Sequence, residues 1–202
     1  MPAADFFARF GFFVHPDLLD PETCLRIRCE MATAPSSAAT VVEKIGPQQA
    51  VDEATRRTKS AKISETTQNV VTERLRGISS KLERHFNIAL QGCQKPQFLV
   101  YRVGDFFKPH EDNSSDSEAP DYVKERKVSV VIFINSESET ESGGYSGGSL
   151  TFYGLLDDDK GKGLGFPLIG RAGLLVAFRS ETLHGVTSVT SGERYSVVSW
   201  FV

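Results

Sequence analysis

Residues 174–202, LLVAFRSETLHGVTSVTSGERYSVVSWFV, decide which fold this chain can form. Three apolar or alternating segments follow one another there, at about Leu174–Phe178, Gly185–Val189 and Tyr195–Val202, with short polar connections between them. Strands that are this short and frequent, with no helix between them, are typical of an antiparallel sandwich or barrel.

The same pattern extends upstream through the second half of the chain. Further predicted strands lie at about Gln97–Val103, Lys127–Ile134, Ser149–Phe152 and Pro167–Gly170. Two polar segments rich in Ser and Glu, Asn113–Lys124 and Ser136–Gly148, interrupt them and are predicted to be mobile loops. This succession of strands predicts a double-sheet jelly roll.

The first half of the chain predicts a mixed layer of helices and strands. Phe10–Val14 and the alternating segment Arg57–Ser64 are predicted strands. Asp20-Pro21 predicts a helix start, and that helix should run to about Ala34. Apolar residues at three-to-four spacing predict a second helix over about Glu65–Leu90.

Together these elements predict one mostly β domain over residues 1–202, built as a double-stranded β-helix. Residues 1–95 would form an N-terminal α/β layer whose helices pack on the outside of one sheet. Residues 96–202 would form the jelly-roll core. At 202 residues the chain is long enough for one hydrophobic core.

Composition excludes several classes of partner and compartment. The formal net charge of −3 gives no electrostatic footprint for nucleic acid or an anionic membrane. The longest apolar runs fall far below the roughly 18 residues that a bilayer span needs. Cys24, Cys29 and Cys93 are odd in number and fit no metal-ligand spacing, and no secretory signal precedes Asp5. We therefore expect a cytoplasmic protein with reduced thiols.

The segment Lys108-Pro109-His110-Glu111-Asp112 carries the clearest chemistry. In extended structure His110 and Asp112 point to the same side, whereas Glu111 points to the other. His184, among the later strands, is the candidate third ligand. Two imidazoles and one carboxylate leave open positions on a metal ion, an arrangement associated with Fe(II) oxygenases.

Two further residues are expected at the same pocket. Arg194 follows His184 by ten residues and lies on the next predicted strand. A buried guanidinium is costly unless it is paired, so its position predicts an anionic partner. Tyr101, just upstream of His110, would supply a phenol.

These residues form a pattern that resembles the 2-oxoglutarate- and Fe(II)-dependent dioxygenases, and within them the prolyl 4-hydroxylase-like branch. The similarity extends from about Gln97 to Val202, and the segment Arg56–Ser60 also resembles a strand beside that branch's substrate opening. The pattern consists of Tyr101-x-x-Gly104-x-x-Phe107-x-Pro109-His110-x-Asp112, then Gly147-Gly148-x-Leu150-x-Phe152, then His184 and Arg194-Tyr195.

The resemblance implies specific roles for individual residues. His110, Asp112 and His184 would bind Fe(II), Arg194 would pair with the distal carboxylate of 2-oxoglutarate, and Tyr101 would hydrogen-bond to the same molecule. O₂ would be the second co-substrate, and ascorbate is expected to support turnover. The reaction would hydroxylate a C–H bond and release succinate and CO₂.

One position departs from the family pattern. Several relatives carry a Tyr, which helps Arg to hold the distal carboxylate, where this chain has Phe133. Ser129, Thr151 and Ser196 are candidate replacement donors, and the sequence does not choose among them.

The substrate and two other classes of function stay open at this stage. A prolyl or other peptidyl residue is the leading substrate, with a free amino acid or small molecule as the alternative. A non-catalytic, cupin-like metal-binding module is a rival, although a structural metal site does not require Arg194. A zinc hydrolase is another rival, but it would want a general base that the sequence does not supply. The sequence leaves the oligomeric state open.

Overall fold

The computed structural model of the protein describes residues 3–42, 49–50, 52–156 and 163–202. Its helices are α1 (Ala3–Ala8), α2 (Pro21–Thr33), α3 (Glu65–Phe86) and α4 (Asp121–Lys124). Its strands are β1 (Phe13–His15), β2 (Ser36–Ala38), β3 (Val41–Val42), β4 (Gln49–Ala50), β5 (Arg56–Arg57), β6 (Lys59–Ala61), β7 (Gln97–Tyr101), β8 (Phe106–His110), β9 (Val128–Phe133), β10 (Tyr145–Gly147), β11 (Leu150–Phe152), β12 (Phe166–Leu168), β13 (Leu175–Arg179), β14 (His184–Val186), β15 (Val189–Gly192) and β16 (Arg194–Phe201).

Two antiparallel sheets form the body of the molecule. The major sheet has the strand order β1-β13-β9-β16-β7-β6-β2, and the minor sheet has the order β12-β11-β14-β8-β5. Neighbouring strands run antiparallel in both sheets. The pairs β3–β4 and β10–β15 form two small additional sheets. This is the predicted jelly roll.

The central strands of the major sheet are buried on both faces, and their side chains alternate between two cores. In β7, Phe98 and Val100 belong to the core beneath the helices, whereas Leu99 and Tyr101 face the minor sheet. In β16, Tyr195 and Val197 likewise face the helices. Since successive residues of a strand point to opposite sides, Arg194 and Ser196 face the space between the sheets.

The two long helices begin where the sequence predicts and cover the outer face of the major sheet. Asp20 Oδ1 accepts a hydrogen bond from Thr23 N at 2.8 Å, which satisfies a free N–H of the first turn of α2. Helix α3 ends at Phe86, four residues before its predicted end, because Asn87 adopts a left-handed conformation with φ of 52°. Among the described residues, no helix combines the length and apolar character that a bilayer crossing requires.

A single side chain at the interface between α3 and the major sheet should contribute strongly to stability. Leu75 is 0% exposed. We expect Leu75→Ala to lower the free energy of unfolding by about 2–5 kcal/mol, because it removes buried apolar atoms and leaves a cavity. Urea denaturation would measure the change. Leu25→Ala is the control, since Leu25 on α2 is 52% exposed and its truncation should change stability by less than about 0.5 kcal/mol. Equal losses in the two variants would contradict this packing.

The strand predicted near the N-terminus was wrong in detail. Phe10–Val14 is not one strand: β1 begins at Phe13, and α1 precedes it. Phe7 and Phe12 instead pack on Phe152, with ring centroids 5.4 and 4.5 Å apart, and so close one end of the core between the sheets.

The predicted strand Arg57–Ser64 is divided between the two sheets. Residues Arg56–Arg57 pair with β8 in the minor sheet, whereas Lys59–Ala61 pair with β7 in the major sheet. Thr58 lies at the crossing point, where its buried hydroxyl donates to Val100 O at 2.9 Å. The alternation of side chains along the sequence could not reveal this division, because both short strands continue the same two-residue period.

Some elements were missed because their sequences are polar or interrupted. Strand β8 contains Pro109 and was not predicted, and α4 and β10 lie within the two segments predicted to be loops. The predicted strand Gly185–Val189 is divided between β14 and β15. The mobility of the two loop segments stays a prediction.

The three cysteines are free thiols, as the sequence predicts. Cys24 is buried, Cys29 is exposed and Cys93 lies between these extremes. Burial raises the pKa of Cys24 to about 11, so that thiol stays protonated at neutral pH.

Candidate metal centre and co-substrate pocket

Strands β8 and β14 bring the two predicted histidines together. His110 and His184 are paired across these strands, and their ring centroids lie 4.4 Å apart. Asp112 follows the end of β8, where its main-chain N–H donates to Ser180 O at 2.8 Å. One ligand atom from each of His110, Asp112 and His184 lies within 4.8 Å of the other two. The structure thus gathers all three predicted ligands into one cluster.

Main-chain contacts orient both imidazoles toward the carboxylate. His110 Nδ1 lies 2.8 Å from Lys108 O, and His184 Nδ1 lies 2.8 Å from Thr182 O. A carbonyl oxygen can only accept, so each Nδ1 donates and each Nε2 is the ring nitrogen left to bind a metal ion. The Nε2 atoms of His110 and His184 lie 3.6 and 3.4 Å from the oxygens of Asp112. This is the tautomer that metal-ligating histidines use.

The protonation states also suit a metal ion. Burial lowers the pKa of His184 to about 4, so the imidazole is neutral at neutral pH. Burial alone would raise the pKa of Asp112, but the neighbouring His184 and His110 and a hydrogen bond from Ser129 lower it below its usual range. The neutral imidazole of His184 and the carboxylate of Asp112 are therefore available as metal donors.

A donor set of two imidazoles and one carboxylate fits an Fe(II) ion whose other coordination positions stay open. Glu111, adjacent in sequence, is exposed and does not belong to the cluster, as the sequence predicts. The same donors can also hold Zn²⁺, which binds more tightly than Fe²⁺ in general.

Aromatic side chains fix the two histidine rings. Phe107 stacks on His110 with centroids 3.6 Å apart, and Phe178 packs edge-on against His184 with centroids 4.7 Å apart. Arg56 also packs on Phe107, with its Cζ 4.6 Å from the ring centroid. Packing on rigid neighbours limits ring rotation, so the cluster is held ready for a metal ion.

Arg194 is a buried cation in the same cavity. Its side chain is 1% exposed, and its Cζ lies 5.0 Å from the Tyr101 ring centroid and 5.2 Å from that of Phe133. Nη1 donates to Ser196 Oγ at 2.8 Å, whereas Nε has no hydrogen-bond partner. Within the described part of the chain, no carboxylate lies within 4.0 Å of this guanidinium. Such a group is ready to bind an anion.

The three candidate replacements for the missing Tyr occupy different places. Ser196 contacts Arg194, as described above. Ser129 instead lies 3.0 Å from Ser180 Oγ, beside Asp112, and Thr151 donates to Ser149 O at 3.3 Å. Of the three, only Ser196 is hydrogen-bonded to Arg194.

The cavity continues outward past the metal cluster to a second guanidinium. Arg126 Cζ lies 3.7 Å above the Trp200 ring centroid, and Nη1 donates to Asp112 O at 3.1 Å. Arg126 and Trp200 line the same cavity as His184 and Arg194, and its volume is about 840 Å³. Sequence reasoning missed both residues. Trp200 shares the inward face of β16 with Arg194 and Ser196, and that period of two was the signal that could have revealed it.

Comparison with known proteins identifies the family. Residues 96–202 match the profile of the 2OG-Fe(II) oxygenase superfamily, and this range contains the metal cluster and Arg194. The chain belongs to this superfamily. The fold of this superfamily member is that of the prolyl 4-hydroxylase-like branch, as the resemblance predicts.

Curated relatives are PKHD-type hydroxylases. One from Shewanella oneidensis is 35% identical over 105 residues, which is 52% of this chain and 41% of that protein. Another, from Psychrobacter, is 30% identical over 107 residues, which is 52% of this chain and 36% of that protein. The matches thus span less than half of the length of these relatives.

Solved structures share the fold over nearly the whole chain. A Pseudomonas putida prolyl-4-hydroxylase superimposes with a TM-score of 0.70 at 22% identity, covering 100% of this chain and 98% of that one. A Trichoplax adhaerens prolyl hydroxylase in complex with a hypoxia inducible factor peptide fragment superimposes with a TM-score of 0.66 at 17% identity, covering 98% and 86%.

Proposed function

We propose that this protein is a 2-oxoglutarate- and Fe(II)-dependent dioxygenase that hydroxylates a prolyl or other peptidyl residue. One observation carries the proposal: a buried cation without an anionic partner, Arg194, lines the same cavity as the His110, Asp112 and His184 cluster. A metal site that served structure alone would not need that cation.

The residues present fit both groups. His110, Asp112 and His184 would hold Fe(II), Arg194 would pair with the distal carboxylate of 2-oxoglutarate, and Tyr101 would hydrogen-bond to the same molecule. When bound, the two groups supply the oxidising chemistry: 2-oxoglutarate and O₂ yield succinate and CO₂, and one oxygen atom enters the substrate C–H bond. The protein itself positions the reactants and excludes water around them. Ascorbate would support this turnover.

The size and lining of the cavity support the binding of a substrate larger than 2-oxoglutarate, in addition to that molecule. A volume of about 840 Å³ exceeds what a five-carbon diacid fills, so room remains beside the metal cluster. The stacked Arg126 and Trp200 offer guanidinium donors for a peptide carbonyl next to a flat apolar surface for a ring. Arg56 lines the same cavity and adds another guanidinium. The two solved structures described above are prolyl hydroxylases, which agrees with a prolyl substrate.

We also propose that the N-terminal residues 1–95 and the core 96–202 form one domain. The helices of the first part supply Ile27, Val71 and Leu82 to the core that the strands of the second part complete. Neither part could bury this surface alone.

The substrate proposal is tested by supplying proline-containing peptides with Fe(II), 2-oxoglutarate and ascorbate in air. We expect mass spectrometry to find one added oxygen atom on a prolyl residue, and succinate release to rise when the peptide is present. The control peptides carry Ala in place of Pro. Hydroxylation of free amino acids in place of peptides would overturn the peptidyl assignment and favour the small-molecule alternative.

A further inference from the structure

Two buried polar groups close to the ring of Phe133 lack hydrogen-bond partners. They are Arg194 Nε and the phenol oxygen of Tyr145. Tyr145 is 1% exposed and lies in β10, within a segment that the sequence predicts to be a polar loop. Buried donors without partners are rare in native proteins, so each requires an explanation.

The Arg194 guanidinium and the Tyr145 hydroxyl both lie close to the ring of Phe133. A methyl group built on Gly170 would lie 2.4 Å from Phe133 Cδ1 and 2.5 Å from the Tyr145 hydroxyl. A methyl group on Gly148 would lie 3.2 Å from Arg194 Cδ and 3.6 Å from Tyr145 Cε2. The Tyr145 hydroxyl therefore lies beside the ring that lacks a hydroxyl in this chain, and its own ring runs along Arg194. Glycines at positions 148 and 170 leave room for this arrangement.

Main-chain contacts hold Tyr145 on both sides. Its N–H donates to Ser136 O at 3.1 Å, and its carbonyl accepts from Ser138 N at 2.9 Å. The residue is also paired with Gly192 in the β10–β15 ladder. The main chain of Tyr145 is thus fixed and its side chain is buried, so binding a ligand would require little further ordering.

The charge state of Tyr145 makes it a hydrogen-bond donor. Burial raises its pKa to about 12, while the Arg194 charge and a close side-chain contact with Arg194 oppose this rise and the Glu137 charge adds to it. The phenol is therefore protonated at neutral pH. Glu137 does not accept its proton, because Oε1 accepts from Ser149 Oγ at 2.6 Å and Oε2 has no partner.

We propose that the Tyr145 hydroxyl, with Arg194, binds the distal carboxylate of 2-oxoglutarate and replaces the hydroxyl that Phe133 lacks. A carboxylate oxygen between the two would accept from both unpartnered donors. This inference rests on the proposed function, since it names a further binding residue of that co-substrate site. Ser196, whose oxygen already accepts from Arg194 Nη1, would hold the guanidinium rather than the carboxylate.

The test is calorimetric titration of 2-oxoglutarate into Mn(II)-loaded protein, which measures binding without turnover. We expect Tyr145→Phe to raise the Kd for 2-oxoglutarate by about ten- to a hundredfold, the usual effect of losing a hydrogen bond to a charged group. Tyr195→Phe is the matched control, since Tyr195 neighbours Arg194 in sequence but faces the helices. Its Kd should equal that of the wild type. Because the Tyr145 hydroxyl has no partner in the free protein, its removal should leave the melting temperature without 2-oxoglutarate unchanged.

Two further titrations separate this role from a structural one. Phe133→Tyr in the Tyr145→Phe background should recover most of the affinity, because it returns the hydroxyl from the neighbouring ring. For 2-oxopentanoate, which lacks the distal carboxylate, wild type and Tyr145→Phe should have the same Kd.

Distinct results would overturn the inference and the function. An unchanged Kd for 2-oxoglutarate in Tyr145→Phe, or a lower melting temperature with unchanged affinity, would overturn the role of Tyr145 alone. Failure of the wild-type, Mn(II)-loaded protein to bind 2-oxoglutarate would overturn both.

Discussion

Asp112→Asn is expected to weaken Fe(II) binding by more than a hundredfold and to abolish turnover. The amide is neutral and a poorer metal ligand than the carboxylate, although it has nearly the same shape. Loss of a group that merely orients a ligand already costs about 10–100-fold in metal affinity, so loss of a ligand should cost more. Anaerobic calorimetric titration of Fe(II) into the wild type and into Asp112→Asn would measure the difference in affinity.

The neighbouring residue supplies a matched control for this experiment. Glu111→Gln also removes one negative charge from the same segment, but Glu111 is exposed and lies outside the cluster. We expect Glu111→Gln to bind Fe(II) like the wild type. Equal effects of the two substitutions would indicate a general charge effect, and wild-type iron affinity in Asp112→Asn would contradict the ligand set. Circular dichroism should find both variants folded.

Arg194→Met should have opposite effects on co-substrate binding and on stability. Removal of one partner of a buried charge pair costs several kcal/mol, so the Kd for 2-oxoglutarate should rise on the order of a hundredfold or more. The co-substrate-free protein should be at least as stable as the wild type, because Met fills similar space without an unpaired buried charge. Calorimetry and urea denaturation would measure the two quantities.

A second arginine provides the comparison for Arg194. Arg102 is exposed, and its Nε lies 3.0 Å from Glu193 Oε1. Arg102→Met should leave the Kd for 2-oxoglutarate unchanged and alter stability little, since exposed ion pairs contribute about 0–1 kcal/mol. If Arg194→Met were strongly destabilised yet bound 2-oxoglutarate normally, Arg194 would be a structural residue.

The parts of the site that could be predicted from the sequence are those fixed by local rules. Residues two apart in an extended segment share a side, so His110 and Asp112 could be paired from their spacing alone. The Asp20-Pro21 cap located α2 to within one residue, because capping depends on adjacent groups. Arg194 could be placed inside the barrel because it lies on the predicted strand that follows His184, and the cost of burying its charge then predicted an anionic partner.

The parts that were missed depend on contacts between distant residues. Tyr145 lies in a polar segment without a strand pattern, and its position depends on pairing with β15 and on the space that Gly170 leaves. The division of Arg56–Ala61 between two sheets depends on which edge strand each piece meets. Ser129, Thr151 and Ser196 could not be separated as candidate donors, because the positions of Ser129 and Thr151 relative to Arg194 depend on how distant strands pair.

The most direct test of the central claim is succinate formation from 2-oxoglutarate by the purified protein with Fe(II) in air. We predict that succinate accumulates with the wild type, requires added iron and O₂, and is absent with Asp112→Asn. Absence of succinate with or without proline-containing peptides, although iron and 2-oxoglutarate both bind by calorimetry, would contradict a catalytic oxygenase. It would favour the non-catalytic metal-binding jelly roll.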